Sequence, residues 1–425
     1  MNRRSVDSYA AFWLAGVGFL WWPFLLVLVV MDRRPFARRP VALLVTTGCL
    51  VASLFVAAAF QAPIPRLLGA SANLTVWITL CLVISRSWDR TDVDGLARGI
   101  VDLAAVQGVL VVIARSIYPA FMNTTLPLAR LLPASLAADP NVSSFSTVRL
   151  AVPDYYGRVV IRTAGIFGNP TWAGAFAAVA ILLVLFAGDS LGPKMSRLPV
   201  RVVVIGLSAY TLYFSYARVD VIALIVAVVA VVAMKTRRFV EPSMWIASVC
   251  LVVGLTVVVL PALPLQSWFG RLNSQRQGSL VAREDIYGPT LKEVMAAPTP
   301  VGGAGIKTRV DGLVASLGTH STYLGLAYRG GLVCSLSFVV FLLTLGARGF
   351  DQDAELAVGL ACFLLLFGIT DDFDSGHLVP LAAVLAFGLI AARRPDRSSI
   401  APDRAAPSRQ PTVTGAGAEQ VITGA

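Results

Sequence analysis

Charge is what this 425-residue chain has least of. Asp, Glu, Lys and Arg make up 14% of it against 56% hydrophobic residues, too little to cover a water-soluble globule of that length. Histidine is scarcer still, with two copies, His320 and His377. The five cysteines (Cys49, Cys81, Cys250, Cys334, Cys362) are odd in number and all fall inside apolar runs. That argues against a disulfide framework or a metal knuckle and for packing. The formal charge of +11 is spread over short loops rather than gathered on one soluble domain, so no nucleic-acid partner is expected.

What the chain does have is apolar blocks of about 16 to 25 residues, near the roughly 20 a helix needs to cross the hydrocarbon layer. Lipid leaves the backbone no outside hydrogen-bond partner, which favours helices over open strands. The expected spans are 10–30, 41–60, 67–85, 99–118, 163–187, 201–217, 219–234, 244–263, 319–346, 356–371 and 377–392. The first follows MNRRSVDSY and offers no small-residue cleavage site, so it is expected to stay as a helix. The fold class is therefore an all-α integral membrane protein, one polytopic domain over 1–393. Residues 394–425 lack apolar periodicity and are rich in Pro, Ser, Gly and Thr, which reads as a disordered cytoplasmic tail.

With the two long connections left out, alternate short connections and the tail carry nineteen Lys and Arg on one side and four on the other. Short cytoplasmic loops hold the basic excess, so the N-terminus is expected outside and the C-terminus inside. Two long connections, 119–162 and 266–318, then fall on the outer side. Both are longer than ordinary helix connections, and such loops commonly carry function.

The second long loop contains GGAGIKT, which looks like the end of a phosphate-binding loop. That motif needs glycine directly before the lysine, and Ile306 stands there. Alone, Gly302, Gly303 and Gly305 are better read as a flexible turn before the next helix. The charged residues around it say more. Arg162 closes the first outer loop, Arg218 sits in the hairpin SYARVD, Arg283 lies in VAREDIYGP, and His320 opens HSTYLG. Taken singly, each arginine reads as a side chain snorkelling to the headgroups. Together they place three guanidinium groups and an imidazole at one membrane face. Guanidinium pairs two parallel donors with phosphate oxygens, and histidine accepts a proton near neutral pH. Pro289 is expected to start a short helix whose apolar face comprises Ile286, Leu291, Val294 and Met295, lying on the bilayer surface as a roof. Asp372 and Asp374 form an Asp-x-Asp on an outer loop, a weaker signal for a divalent cation; no metal site is expected.

These residues carry a resemblance. RTAGIFGNP matches an Arg-x-x-Gly-x-Phe-x-Asn-Pro motif at Arg162, Gly165, Phe167, Asn169 and Pro170. A Ser-Arg hairpin is similar to Ala217-Arg218, with the serine absent. An Arg followed by Pro-x-x-Gly-x-Gly is matched by Arg283, Pro300, Gly303 and Gly305, and His-Ser-x-Tyr by His320, Ser321 and Tyr323. The chain thus resembles the O-antigen ligase and polysaccharide polymerase family over about 160–335. The family commonly has twelve spans with both ends cytoplasmic, so one span is missing near the N-terminus.

The resemblance implies a GT-C-like helical architecture in the bacterial inner membrane. It also implies transfer of a glycan from a polyprenyl-(pyro)phosphate carrier to an acceptor hydroxyl, without metal or cofactor. His320 would be the catalytic residue, as general base or diphosphate ligand, and Arg162, Arg218, Arg283, Tyr323 and Asn169 would bind phosphate or substrate. Its partners would be the lipid-linked donor, a glycan or glycolipid acceptor and the bilayer. A polymerase joining lipid-linked repeat units remains the close alternative. A lipid-linked-sugar flippase or transporter is the alternative of another class, with polar groups at mid-membrane as its mark; apart from Arg201 at a span's first position, Arg115 and Arg329 are the only Lys or Arg within the spans.

Overall fold

The computed structural model describes residues 21–36, 39–86, 90–117, 123–125, 147–149, 162–188, 195–236, 277–297, 299–313, 315–350 and 354–373, with positions 8, 11, 12, 130, 131, 133, 134, 191 and 193. The spans expected at 244–263 and 377–392, most of the first span's N-terminal half, most of 119–161, Asp374, His377 and the tail lie outside the described residues.

The described chain is helical: α1 (Trp21–Met31), α2 (Val41–Ala59), α3 (Ile64–Ser85), α4 (Arg90–Ile117), α5 (Pro170–Ala187), α6 (Leu198–Ser215), α7 (Arg218–Thr236), α8 (Gln277–Ala296), α9 (Thr322–Gly330), α10 (Leu332–Phe350) and α11 (Ala354–Thr370). A small antiparallel ribbon of β1 (Asn123–Thr125) and β2 (Thr147–Arg149) interrupts it in the first long loop, with Asn123 opposite Arg149. Among the described residues, six helices, α2 to α7, include a stretch long and apolar enough to cross a bilayer, and α1, α10 and α11 contribute shorter apolar segments.

α5 is the centre of the bundle. Its Ala173, Ala175, Phe176, Ala178, Val179 and Leu182 are buried, and it packs on α4, α6, α7 and α11. The run of alanines lets neighbouring backbones come close, which replaces the hydrophobic drive that lipid does not supply. A second aromatic knot surrounds Phe338, which meets Trp77 at 5.1 Å and Phe373 at 5.4 Å between ring centroids. Val27, Phe55, Val202, Ile225, Leu336 and Leu343 stay exposed on the outside of the bundle, as residues facing hydrocarbon do.

The two ends of the bundle differ. At one, Arg34 binds both carboxylate oxygens of Asp92, and buried Arg86 donates to the carbonyls of Arg34 and Val29 at 2.6 and 2.8 Å. At the C-terminus of α7, Lys235 pairs with Glu355 at the start of α11, 2.7 Å away. The opposite ends of α7 and α11 therefore meet at the other end of the bundle, where the expected site residues lie.

Three expectations shift in detail. The span at 319–346 is two helices, α9 and α10, interrupted at Gly331 because the preceding loop intrudes: Val333 donates to the Pro300 carbonyl at 3.1 Å and Gly302 to the Gly330 carbonyl at 3.3 Å. The span at 163–187 opens with a buried non-helical stretch and a 3-10 turn at Gly165–Phe167, and its helix begins only at Pro170. Pro289 sits inside α8 rather than at its start. That is tolerable because Pro289 and Asp285, whose carbonyl loses its partner, are both on an exposed face. Accordingly Ile286 and Val294 point inward while Leu291 and Met295 are exposed.

Candidate functional site

The Arg162 segment is fastened from three sides. Gln107, buried in α4, donates to the Ala164 carbonyl at 3.1 Å and accepts from the Ile166 N–H at 3.0 Å. Thr163 donates to the Phe214 carbonyl at the end of α6. Asn169 caps α5 by accepting from the Thr171 N–H at 2.9 Å, the usual way of satisfying a first-turn donor. Arg162 itself is buried, with Nε on the Ser215 carbonyl at 3.0 Å and Nη2 on Thr171 Oγ1 at 3.4 Å.

The α6–α7 hairpin is thereby tied to Arg162. Its turn has Tyr216 in the left-handed region, φ 52°, and Ser215 Oγ accepts from the Ala217 N–H at 3.2 Å. A serine is thus present at the turn, two residues before the position where the family motif has one. Arg218 follows as the first residue of α7.

His320 is held by its backbone. Its φ of 62° lies in a region that non-glycine residues seldom occupy. The His320 N–H donates to Asp372 Oδ2 at 3.3 Å, and the Tyr287 hydroxyl of α8 donates to the His320 carbonyl. Thr322 fixes the adjoining loop, donating to the Asp371 carbonyl and accepting from the Phe373 N–H. Lys307 forms an ion pair with Asp372 Oδ2 at 2.9 Å. His320 is exposed to solvent, yet the protein around it still withdraws water from the imidazole. Loss of water pushes its pKa below the ordinary 6.5; Asp372 opposes this, and Arg283 and Lys307 add to it. A neutral imidazole is a proton acceptor. Burial likewise pushes Tyr287 up to about 12, against the nearby Arg283, so its hydroxyl remains a donor.

Arg283 of α8 completes the cluster. Its charge acts on His320, Tyr287, Asp371 and Asp220, and the charges of Arg162 and Asp371 also act on Asp220. Arg162, Arg283 and His320, separated widely in sequence, therefore share one end of the bundle. The N-termini of α5, α7 and α9 open there too, and helix N-termini favour anions.

The glycine-rich stretch is neither a phosphate cradle nor a loose turn. Gly302, Gly303, Ala304 and Gly305 donate their N–H groups to the Gly330 carbonyl, Ser53 Oγ, the Tyr328 carbonyl and the Arg329 carbonyl, so none is left for phosphate. A Cβ at Gly305, where φ is 71°, would lie 2.2 Å from the Ser53 carbonyl oxygen. The stretch is a strap that seats Lys307 and the His320 loop against α2 and α9. Tyr323 is turned into the bundle, its hydroxyl donating to the Leu365 carbonyl at 2.8 Å and its ring near Phe338.

Sequence reasoning gave no role in the site to Gln107, Asp220, Tyr287, Lys307 or Asp371. Gln107 was findable as a polar residue in an otherwise apolar run, and Tyr287 as the end of Arg-x-x-x-Tyr. Asp220 was camouflaged, because acid in a helix's first turn is ordinary. Among the described residues no group of three His, Cys, Asp or Glu is placed to hold a metal, and the described aspartate of the Asp-x-Asp is engaged by Lys307.

No curated protein and no solved structure matches the chain. Residues 203–339, which include Arg218, Arg283, Lys307 and His320, match the family model described as O-antigen ligase, and this supports placing the chain in the O-antigen ligase and polysaccharide polymerase family.

Proposed function

We propose that the protein transfers a glycan from a polyprenyl-(pyro)phosphate carrier to an acceptor hydroxyl at the outer face of the bacterial inner membrane, in cell-envelope polysaccharide assembly. The observation that carries the reading is His320: backbone-locked by Asp372 and Tyr287, held neutral, and within reach of the Arg283 charge.

The acceptor hydroxyl gives its proton to the His320 imidazole as its oxygen bonds to the sugar's anomeric carbon. The bond from that carbon to the carrier's phosphate oxygen breaks, and its electron pair leaves with the polyprenyl diphosphate. Charge gathering on the departing oxygen is stabilised by Arg162, Arg283 and Arg218, of which Arg162 is fixed beforehand by Ser215 and Thr171. Asp372 stabilises the imidazolium that forms. The transfer written this way is metal-independent, and Lys307 pairs with Asp372 Oδ2. A polymerase, whose acceptor is itself lipid-linked, would use the same residues and differ only in the acceptor.

The test is a cell carrying His320→Ala. The variant should insert normally while glycan-loaded carrier accumulates on the outer leaflet. Accumulation on the inner leaflet would mean failed flipping and would sink the transferase reading.

A further inference from the structure

In the mechanism above Asp372 favours the imidazolium, and its partner Lys307 has no task. A carboxylate beside an imidazole, however, acts before the reaction as well as during it. Asp372 Oδ2 accepts the His320 N–H at 3.3 Å, which leaves the imidazole within one side chain's length. Unopposed at that range, the negative charge would favour a proton on the imidazole in the resting enzyme, and a protonated imidazole takes none from an acceptor hydroxyl.

Lys307 supplies the opposition, and the fold delivers it there. The strap runs antiparallel along α9, Gly302 donating to the Gly330 carbonyl at 3.3 Å and Ala304 to the Tyr328 carbonyl at 2.8 Å. A Cβ on Gly303 would lie 2.4 Å from the Tyr328 carbonyl oxygen, so only glycine lets the strap lie this close. Lys307 is thereby carried back toward the first turn of α9, the end at which His320 stands. Leu317 donates to the Thr308 carbonyl at 2.8 Å, closing the loop from Lys307 to His320 at its base, and Gly318 donates to Thr290 of α8 at 3.1 Å. The ammonium meets the same Oδ2 that takes the His320 N–H, at 2.9 Å, with side chains 17% and 10% exposed, too enclosed for salt to screen the pair fully. The other titratable and charged groups around His320 are Asp371, whose Oδ1 takes the Asp372 N–H, Tyr287, on the His320 carbonyl, and Arg283, whose charge acts in the same sense as Lys307.

We infer that Lys307 is a positioning residue for the base: its ammonium, brought by the glycine strap, offsets the field of Asp372, so that His320 rests neutral while Asp372 keeps hold of its backbone. The inference rests on the reading of His320 as general base. A lysine that merely ties two loops together would change stability and leave the proton affinity of His320 alone. One that binds the diphosphate would change KM for the donor instead.

The experiment is an NMR titration of selectively labelled histidine in the detergent-purified full-length protein, prepared without a histidine tag. The chain has two histidines, and His377→Gln assigns their signals. Relative to wild type, the His320 imidazole should bind its proton about tenfold more tightly in Lys307→Met, less tightly in Asp372→Asn, and within about threefold in the double variant. In steady-state transfer the acid limb of the Lys307→Met rate profile should move to higher pH by the same factor. A Lys307→Met protein that melts cooperatively but titrates as wild type does overturns the inference. Should that variant not fold, Asp372→Asn carries the test, and a proton held there as tightly as in wild type, or more so, overturns it. If the titrations shift as expected while the acid limb of transfer stays put, the control of His320 by Lys307 stands and the general-base reading falls.

Discussion

His320 occupies a backbone conformation that costs a non-glycine residue on the order of 1 kcal/mol or more, and the groups that hold it there are charged. Asp371 and Asp372 are adjacent, Asp372 Oδ2 takes the His320 N–H and Lys307, and Asp371 Oδ1 takes the Asp372 N–H. Burial, reinforced by the neighbouring Asp372 charge, raises Asp371 from 3.8 to about 7. A carboxyl group raised in the folded state binds its proton more tightly there than in the unfolded chain. Its contribution to stability is therefore complete below the unfolded value and is lost as pH rises through the folded one. Thermal denaturation of wild type and Asp371→Asn between pH 4 and about 7.5 should show that the variant lacks this component, so its Tm advantage over wild type grows with pH. A constant Tm difference would show that Asp371 is not raised. Arg162, Arg218, Arg283 and His320 were legible in the sequence because isolated basic residues in an apolar chain stand out. Asp371 and Lys307 were not, because their significance is their pairing across the fold, which no local spacing reveals.

At the scale of elements, the bundle places the site by making its helices imperfect. The Arg162 segment enters as a buried non-helical turn, which survives only because Gln107 satisfies the backbone on both sides of Gly165. Gln107→Leu leaves the Ala164 carbonyl and Ile166 N–H without these partners, a loss of about 1–3 kcal/mol each where no other partner steps in. We expect a folded but less stable protein whose KM for lipid-linked donor rises several-fold while kcat falls less, measured by steady-state transfer; Gln107→Glu, which keeps one of the two bonds, should fall between. An unchanged KM would mean the turn does not depend on Gln107. The bounds of α2, α3, α6, α7 and α11 were readable from hydropathy to within a few residues, whereas α4 begins well before its expected start at 99. The division of 319–346 into α9 and α10 was not, because its cause is the loop at Pro300 and Gly302, contributed from the preceding segment. The helix around Pro289 was misplaced for a related reason: proline looks like a start signal, and only its exposed setting in α8 makes it tolerable inside.

Across the whole molecule, function depends on sidedness. Lys235 with Glu355 and Arg34 with Asp92 staple one end of the bundle, while the Arg162, Arg283 and His320 cluster gathers at the other. Loop charge counts in the sequence anticipate which connections lie together, because positive charge resists crossing the membrane. The cluster at the far end was legible only as a list of residues, since their convergence comes from the α5–α7 and α8–α9 pairs being joined through α11. The central claim is that this convergence makes a diphosphate-binding transferase whose base is His320. Its most direct test is glycan transfer by purified protein from a defined polyprenyl-diphosphate donor to candidate acceptors, with chelator present, comparing wild type with His320→Ala. The account predicts acceptor-dependent transfer that survives chelation in wild type and falls at least about a hundredfold in the variant. Transfer that His320→Ala leaves intact, or that chelator abolishes and magnesium restores, would contradict it.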